Sequence, residues 1–240
     1  MCNNRDMSTI RHSTVWKKSP KEKNIMVSNF VKYTLDKIKK AKVKRILDVA
    51  CGNGMGVTLP LMRQGYDVHS SDALQNGVNA CKQNLKAEGF KPNVKKANMY
   101  KKFPYKSDSF DAVYCFQAIY HGRFEQMMFT LSEIKRVLKK EGYFFGTFMR
   151  YEDVFYDKKK GLFYFWVDYE GKKFKSWFRQ DQNQPHLFYY LSKDWEYNVP
   201  HYYTSKQELK CLLSQYFKDI EIKVVCKGIG NKFWLASAKV

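Results

Sequence analysis

Two aspartates frame the chemistry this chain could do. Asp48 lies in a short apolar run from Val43 to Val49, and Ala50-Cys51-Gly52-Asn53-Gly54 follows at once. Val43, Ile46, Leu47 and Val49 suit a buried parallel strand. Gly52 and Gly54 let backbone approach a ligand closely and adopt unusual φ. Met55, Val57, Leu59, Leu61 and Met62 then set out a helix, with Pro60 making its first turn irregular. Strand, glycine turn and helix leave backbone amides open for a ligand. No Gly-Lys-Ser/Thr follows, so this is not a Walker loop. A tight βα turn that binds nothing would read the same way. Tyr66 to Ser71 reads as a second strand ending in Asp72, about 20 positions past the glycines, where an acidic residue holds a ribose diol. A carboxylate accepts from both hydroxyls at once. Asp72 also suits the N-cap of the helix that follows.

The elements that must position these residues alternate. Strands are expected near 44–50, 66–71, 93–97, 110–116 and 142–148, and helices near 55–65, 74–89 and 125–139. That rhythm predicts an α/β fold with a doubly wound, mostly parallel sheet. Residues 1–20 read as loosely attached. A helix from Glu22 to Lys40 carries an apolar stripe of Ile25, Val27, Phe30, Val31, Leu35 and Ile38. Beyond Arg150 the rhythm breaks. Residues 151–203 hold 18 of the chain's 40 aromatic side chains, interleaved with lysines, which sets them apart as an insert. Tyr164, Trp166 and Lys172, with Gly171 between, suggest a hairpin; the rest reads as loop. Thr204 and Gln207 form a capping-box pattern for a helix to about Tyr216. Strands near 219–226 and 232–239, around Gly228 and Gly230, close the sheet as an antiparallel hairpin. The expected divisions are 1–42 (extension and cover helix), 43–150 (core), 151–203 (substrate-recognition insert) and 204–240 (closing helix and strands).

Five stretches, in order, resemble the class I S-adenosylmethionine-dependent methyltransferases. Ile46 to Gly54 resembles that family's motif I, V-L-D-x-G-C-G-x-G. Tyr66 to Asp72 resembles its second strand and acidic end. Asn98-Met99 with Phe103-Pro104-Tyr105, Ser109 to Val113, and Glu133 to Lys139 with Gly142 match the motifs that follow. The resemblance covers about residues 43–148 and implies a seven-stranded Rossmann-like sheet with an antiparallel last strand. It implies S-adenosyl-L-methionine as cofactor. Asp48 and the backbone of Ala50, Cys51, Gly52, Asn53 and Gly54 would face its methionine part. Asp72, with Ala73 beside it, would hold the ribose. Asn98 and Met99 would flank the adenine, and Phe116 would sit near the amino group. Three positions depart from the family pattern. Ala50 stands for Gly, Asn98 for Asp, and Lys140-Glu141-Gly142 for Pro-Gly-Gly. Similar proteins place the N-terminal helix over the cofactor, with Trp16 just before it.

A methyl on a sulfonium is already activated, so the protein must align the acceptor and exclude water. A base is needed only where the acceptor carries a proton. His121, just beyond the fourth strand, is the candidate base, and Tyr120 the candidate for orienting the acceptor. A loop or capping histidine is the plainer reading of His121. His186 and His201 are further candidates at the insert's margins. Pro200 to Thr204 resembles an acceptor-approaching segment of small-molecule methyltransferases. The Asn/Asp-Pro-Pro-Tyr/Phe motif of nucleic-acid amino methylation and a Pro-Cys nucleophile are both absent. Residues 115–128 and 142–147 faintly resemble mRNA cap guanine-N7 methyltransferases.

Composition bounds the partners. Six scattered cysteines without a C-x-x-C pair argue against a zinc site or a disulfide framework. No apolar stretch is long enough to span a membrane, so a soluble, cytoplasmic enzyme is expected. The net charge of +20 favours anionic partners such as RNA, although lysine-rich solubility reads alike. The expected activity is methyl transfer to a small-molecule acceptor. The alternatives are a tRNA or cap methyltransferase, and a non-catalytic cofactor- or RNA-binding protein on the same fold.

Overall fold

The computed structural model describes residues 21–169, 172–191, 198–227 and 231–240. Trp16 and the turn residues Gly171, Gly228 and Gly230 lie outside them. In chain order the core elements are α1 (Lys21–Lys40), β1 (Arg45–Val49), α2 (Thr58–Met62), β2 (Asp67–Asp72), α3 (Gln75–Ala87), β3 (Val94–Lys96), β4 (Phe110–Cys115), α4 (Phe124–Val137) and β5 (Leu138–Arg150). The insert supplies β6 (Phe155–Asp157), β7 (Leu162–Tyr169), β8 (Lys172–Gln180), β9 (Leu187–Tyr190) and β10 (Pro200–Thr204). The chain closes with α5 (Lys206–Ser214), β11 (Lys218–Lys227) and β12 (Asn231–Lys239).

The core sheet runs β3-β2-β1-β4-β5-β12-β11, parallel through β5 and antiparallel beyond it. This is the expected seven-stranded sheet. The order reverses direction at β1, so the crevice outside the carboxyl ends of β1 and β4 is where ligands bind in such sheets. Both faces are covered, which is why β1 and β4 are mostly apolar. Leu47, Val49, Val113 and Cys115 face one layer with Leu131 and Ile134 of α4 and Leu209 and Leu213 of α5. Ile46, Ala112, Tyr114 and Phe145 face the other, with Phe30, Val31 and Ile38 of α1. Through Phe30, Val31 and Ile38, α1 is a structural layer of the core. Its Thr34 hydroxyl lies 2.7 Å from the Tyr114 hydroxyl.

The insert differs from its sequence reading. The β7–β8 hairpin forms, but β6, β9 and β10 are strands rather than loop, and all extend the main sheet. β10 pairs in parallel with Met149 and Arg150 of β5. β4 pairs with β5 only as far as Gly146, through Cys115. β10 thus takes over the edge of β5 that β4 leaves free, and roofs the carboxyl end of β4. Tyr202 N–H donates to the Tyr120 carbonyl at 2.8 Å, tying this roof to the segment after β4.

The cap of α5 also lies one residue further on than the sequence suggests. Thr204 ends β10, and its hydroxyl donates to the Met149 carbonyl. Ser205 accepts from Glu208 N–H at 3.1 Å, and the Glu208 carboxylate accepts from Ser205 N–H. Among the described residues no helix is long and apolar enough to cross a membrane.

Candidate active site

The turn after β1 is built on three left-handed residues. Ala50, Gly52 and Gly54 have φ of 59°, 55° and 77°. Only glycine takes that region without steric cost, so Ala50 carries strain that a glycine would avoid. Gly54 is required for a second reason: a Cβ there would lie 2.5 Å from the Cys81 sulfur. Cys51 N–H donates to the Ser71 carbonyl, binding the turn to β2. Asn53 accepts from Met55 N–H through Oδ1, and from the Asn84 amide through its carbonyl.

Asp48 is buried, 2% exposed, beneath this turn. Its Oδ2 accepts from the Thr58 hydroxyl at 2.6 Å, and the Ser70 hydroxyl lies 2.8 Å from that of Thr58. Burial pushes the Asp48 carboxyl up to about 7, against the Thr58 hydrogen bond and with help from the Asp72 charge. Asp72 accepts from Gly52 N–H through Oδ2 and from Leu74 N–H through Oδ1. Burial raises its carboxyl too, and these two N–H donors oppose the rise. Asp72 is not the N-cap of α3, whose capping position is Leu74 with no side-chain bond. A buried and a half-buried carboxyl, both raised, make a site that a cationic ligand would relieve.

Sequence reasoning missed three supports of these aspartates. Thr58 and Ser70 form the hydroxyl chain under Asp48, and they come from different elements whose meeting no local pattern announces. Gly77 gives the Asp72 carboxylate room, since a Cβ there would approach Oδ1 to 2.9 Å. A glycine inside a helix was the signal available for that one.

The third-strand segment is a tight turn. Asn98 accepts from Tyr100 N–H through Oδ1 at 2.9 Å, and a second lone pair of that oxygen remains for a ligand donor. The Met99 carbonyl accepts from the Thr130 hydroxyl of α4. Ala73 sits between Asp72 and Leu74 in the turn opening α3. Phe116 is buried, edge-on to Phe30 at 6.0 Å and to Tyr114 at 5.4 Å. The structure therefore brings Asp48, residues 50–54 and Asp72 together, as the hydrogen bonds record. Asn98 and Met99 follow at the next strand end, with Phe116 beyond β4.

The candidate catalytic residues gather at the carboxyl end of β4. His121 and Tyr120 are buried, their rings 4.5 Å apart and edge-on. β10 brings His201 to within 4.6 Å of His121, ring to ring. Tyr190 of β9 lies 4.4 Å from His201, and Tyr120 lies 5.7 Å from it. His186 does not join them. It stacks on Tyr151 at 4.6 Å and pairs with Glu208 at 2.7 Å, beside an open groove of about 320 Å³. Gln117 enters this region with φ of 52°, its N–H donating to the Thr147 hydroxyl at 2.7 Å. Among the described residues its side-chain Nε2 and the Tyr100 hydroxyl are buried without a hydrogen-bond partner. A buried donor without a partner costs about 1–3 kcal/mol, so a ligand that accepts from it gains that much. Among the described residues no cluster could hold a metal ion.

Residues 47–146 match the family described as a methyltransferase domain. No curated protein sequence matches the chain. Solved structures resemble the fold at low identity. A protein of Pyrococcus horikoshii OT3 is 20% identical with a TM-score of 0.64, over 84% of each chain. A S-adenosylmethionine-dependent methyltransferase of Clostridium acetobutylicum is 16% identical, TM-score 0.60, covering 90% of this chain and 91% of its own. The Burkholderia thailandensis 1,6-didemethyltoxoflavin-N1-methyltransferase, solved with 1,6-didemethyltoxoflavin and S-adenosylhomocysteine, is 14% identical with a TM-score of 0.58. It covers 92% of this chain and 90% of its own.

Proposed function

Since residues 47–146 are a methyltransferase domain on the class I, S-adenosylmethionine-dependent sheet, we propose that this enzyme methylates a small planar acceptor held beneath β10. The observation that carries the reading is the ring cluster of Tyr120, His121, His201 and Tyr190, assembled where β10 roofs β4. Flat aromatic walls suit a flat guest. A fold neighbour that binds 1,6-didemethyltoxoflavin with S-adenosylhomocysteine is in keeping with it.

In this reading S-adenosylmethionine supplies a methyl group on a positively charged sulfur. Asp48 and Asp72 would counter the cofactor's cationic part and hold its ribose, and the backbone of residues 50–54 would face it. Asn98 accepts from the adenine amino group through its remaining lone pair. Phe116 walls off the amino-acid end. Bound there, the cofactor would supply an activated methyl group, and the ring cluster would align the acceptor with it and exclude water. Where the acceptor atom carries a proton, His121 accepts it. Tyr120 and His201 orient the ring, and Gln117 donates to an acceptor lone pair. A dry, ring-lined site would favour a transfer in which positive charge on the donor is lost.

The test is S-adenosylhomocysteine release across a panel of small heteroaromatic acceptors, with calorimetric titration of the cofactor. Failure to bind S-adenosylmethionine at millimolar concentration would sink the enzyme reading. Cofactor binding without turnover of any small acceptor would move the substrate elsewhere.

A further inference from the structure

The insert's strands have two aromatic faces, and only one is used by the core. Direct cross-strand partners share a face. Phe163, Phe178 and Tyr190 point inward with Phe165 and Phe188, against the ring cluster. Phe155, Tyr164 and Trp177 form the opposite row, and Trp166 pairs with Lys175 two residues along the same face. Phe155 and Trp166 are 46% and 47% exposed. Phe155 stacks on Tyr164 at 5.6 Å, and Tyr164 lies 5.3 Å from Trp177 and 5.9 Å from Trp166.

Cations sit on these rings. Lys175 Nζ is 4.0 Å from the Tyr164 centroid and within reach of Trp166 and Trp177. Lys160 Nζ lies 4.1 Å from Trp177. Lys158 and Lys159 stand in the same β6–β7 turn. Asp157 answers them: it pairs with Lys175 at 3.6 Å and accepts from the turn amides of Lys159 and Lys160. A self-contained aromatic core would bury its tryptophans. Here Trp166 is displayed and Trp177 only half-buried, beside lysines on a chain of net charge +20.

We propose that this outward face is a docking surface for single-stranded RNA. Unpaired bases stack on aromatic side chains without regard to sequence, while lysines follow the phosphates. RNA offers such bases in its loops and ends, whereas duplex DNA keeps them inside. A base arriving on Tyr164 or Trp177 displaces an ammonium from the ring face, and a neighbouring phosphate receives it. The surface lies across the strands from the ring cluster, so it is independent of the small-acceptor reading.

The test is fluorescence anisotropy of a labelled ten-nucleotide single-stranded RNA, with quenching of tryptophan emission as second readout. Binding that weakens steeply with salt is expected, and Lys160→Gln with Lys175→Gln should lower the slope by about 0.7 for each phosphate no longer neutralised. Trp166→Ala should weaken binding about tenfold, the range of one stacked base, and Trp166→Tyr should restore most of it. Cofactor affinity should stay unchanged in all three variants, which also reports that they fold. No binding at low salt, equal affinity in Trp166→Ala, or tighter binding of duplex or of the matching single-stranded DNA would overturn the proposal.

Discussion

The Asp72 carboxylate takes a hydrogen bond from Gly52 N–H at 2.9 Å, across 20 residues of sequence. One side chain thus fixes the glycine turn and offers its remaining lone pairs to a ligand. Asp72→Ala should weaken S-adenosylmethionine binding by about 10–100-fold, since a bond to a charged group contributes roughly 1.5–3 kcal/mol. Asp72→Asn should recover part of this. Calorimetry checks it; unchanged affinity would remove the ribose assignment.

If Asp48 faces the bound cofactor, its raised carboxyl should make binding depend on pH. Its carboxyl lies at about 7 in the unliganded protein, and a cationic ligand lowers that value. Affinity should therefore fall as pH drops below about 7, by up to tenfold per unit, with proton release on binding between about pH 5 and 7. Asp48→Asn should abolish both the dependence and the proton release, measured by titration in buffers of different ionisation enthalpy.

The same group bears on stability with a definite sign. The folded carboxyl is raised above its ordinary 3.8. Its contribution is fully favourable below about 4 and is lost as pH rises through about 7, at roughly 1.4 kcal/mol per unit for a single group. The difference in melting temperature between wild type and Asp48→Asn should accordingly change between about pH 4 and 7, with wild type gaining at the acidic end. A constant difference would contradict it.

Ala50 at φ of 59° is a correctable strain. Ala50→Gly should raise stability by about 1 kcal/mol, a gain read from denaturant unfolding. Gly54→Ala should do the reverse, because its Cβ meets both an unfavourable φ and the Cys81 sulfur at 2.5 Å.

If His121 accepts the acceptor's proton, His121→Asn should lower kcat by about 10²–10⁴ while leaving cofactor affinity within about twofold. His201→Phe keeps a ring in the cluster and should raise KM more than it lowers kcat. Equal turnover in His121→Asn would assign the histidine to packing.

The cofactor half was legible because its signals are local. Ile46 to Val49 are buried on both faces, and the following turn needs glycine at fixed positions. The insert was misread because the usual alternation of apolar and polar residues is missing. Phe163, Tyr164, Phe165 and Trp166 are aromatic on both faces, so neither the strands nor their outward face could be told from a loop. His201 could not be paired with His121 from sequence, since β10 reaches β5 only through a non-local parallel pairing. Thr58 and Ser70 were hidden for a similar reason, because their hydroxyls meet only once α2 packs on β2.

The bond from Tyr202 N–H to the Tyr120 carbonyl has a structural consequence. The insert is not a cassette that could be exchanged while the rest of the sheet stays fixed. Its last strand is woven into β5 and clasps the segment that carries His121. Removing or replacing the insert would therefore strip the edge of β5 and the clasp on residue 120 together.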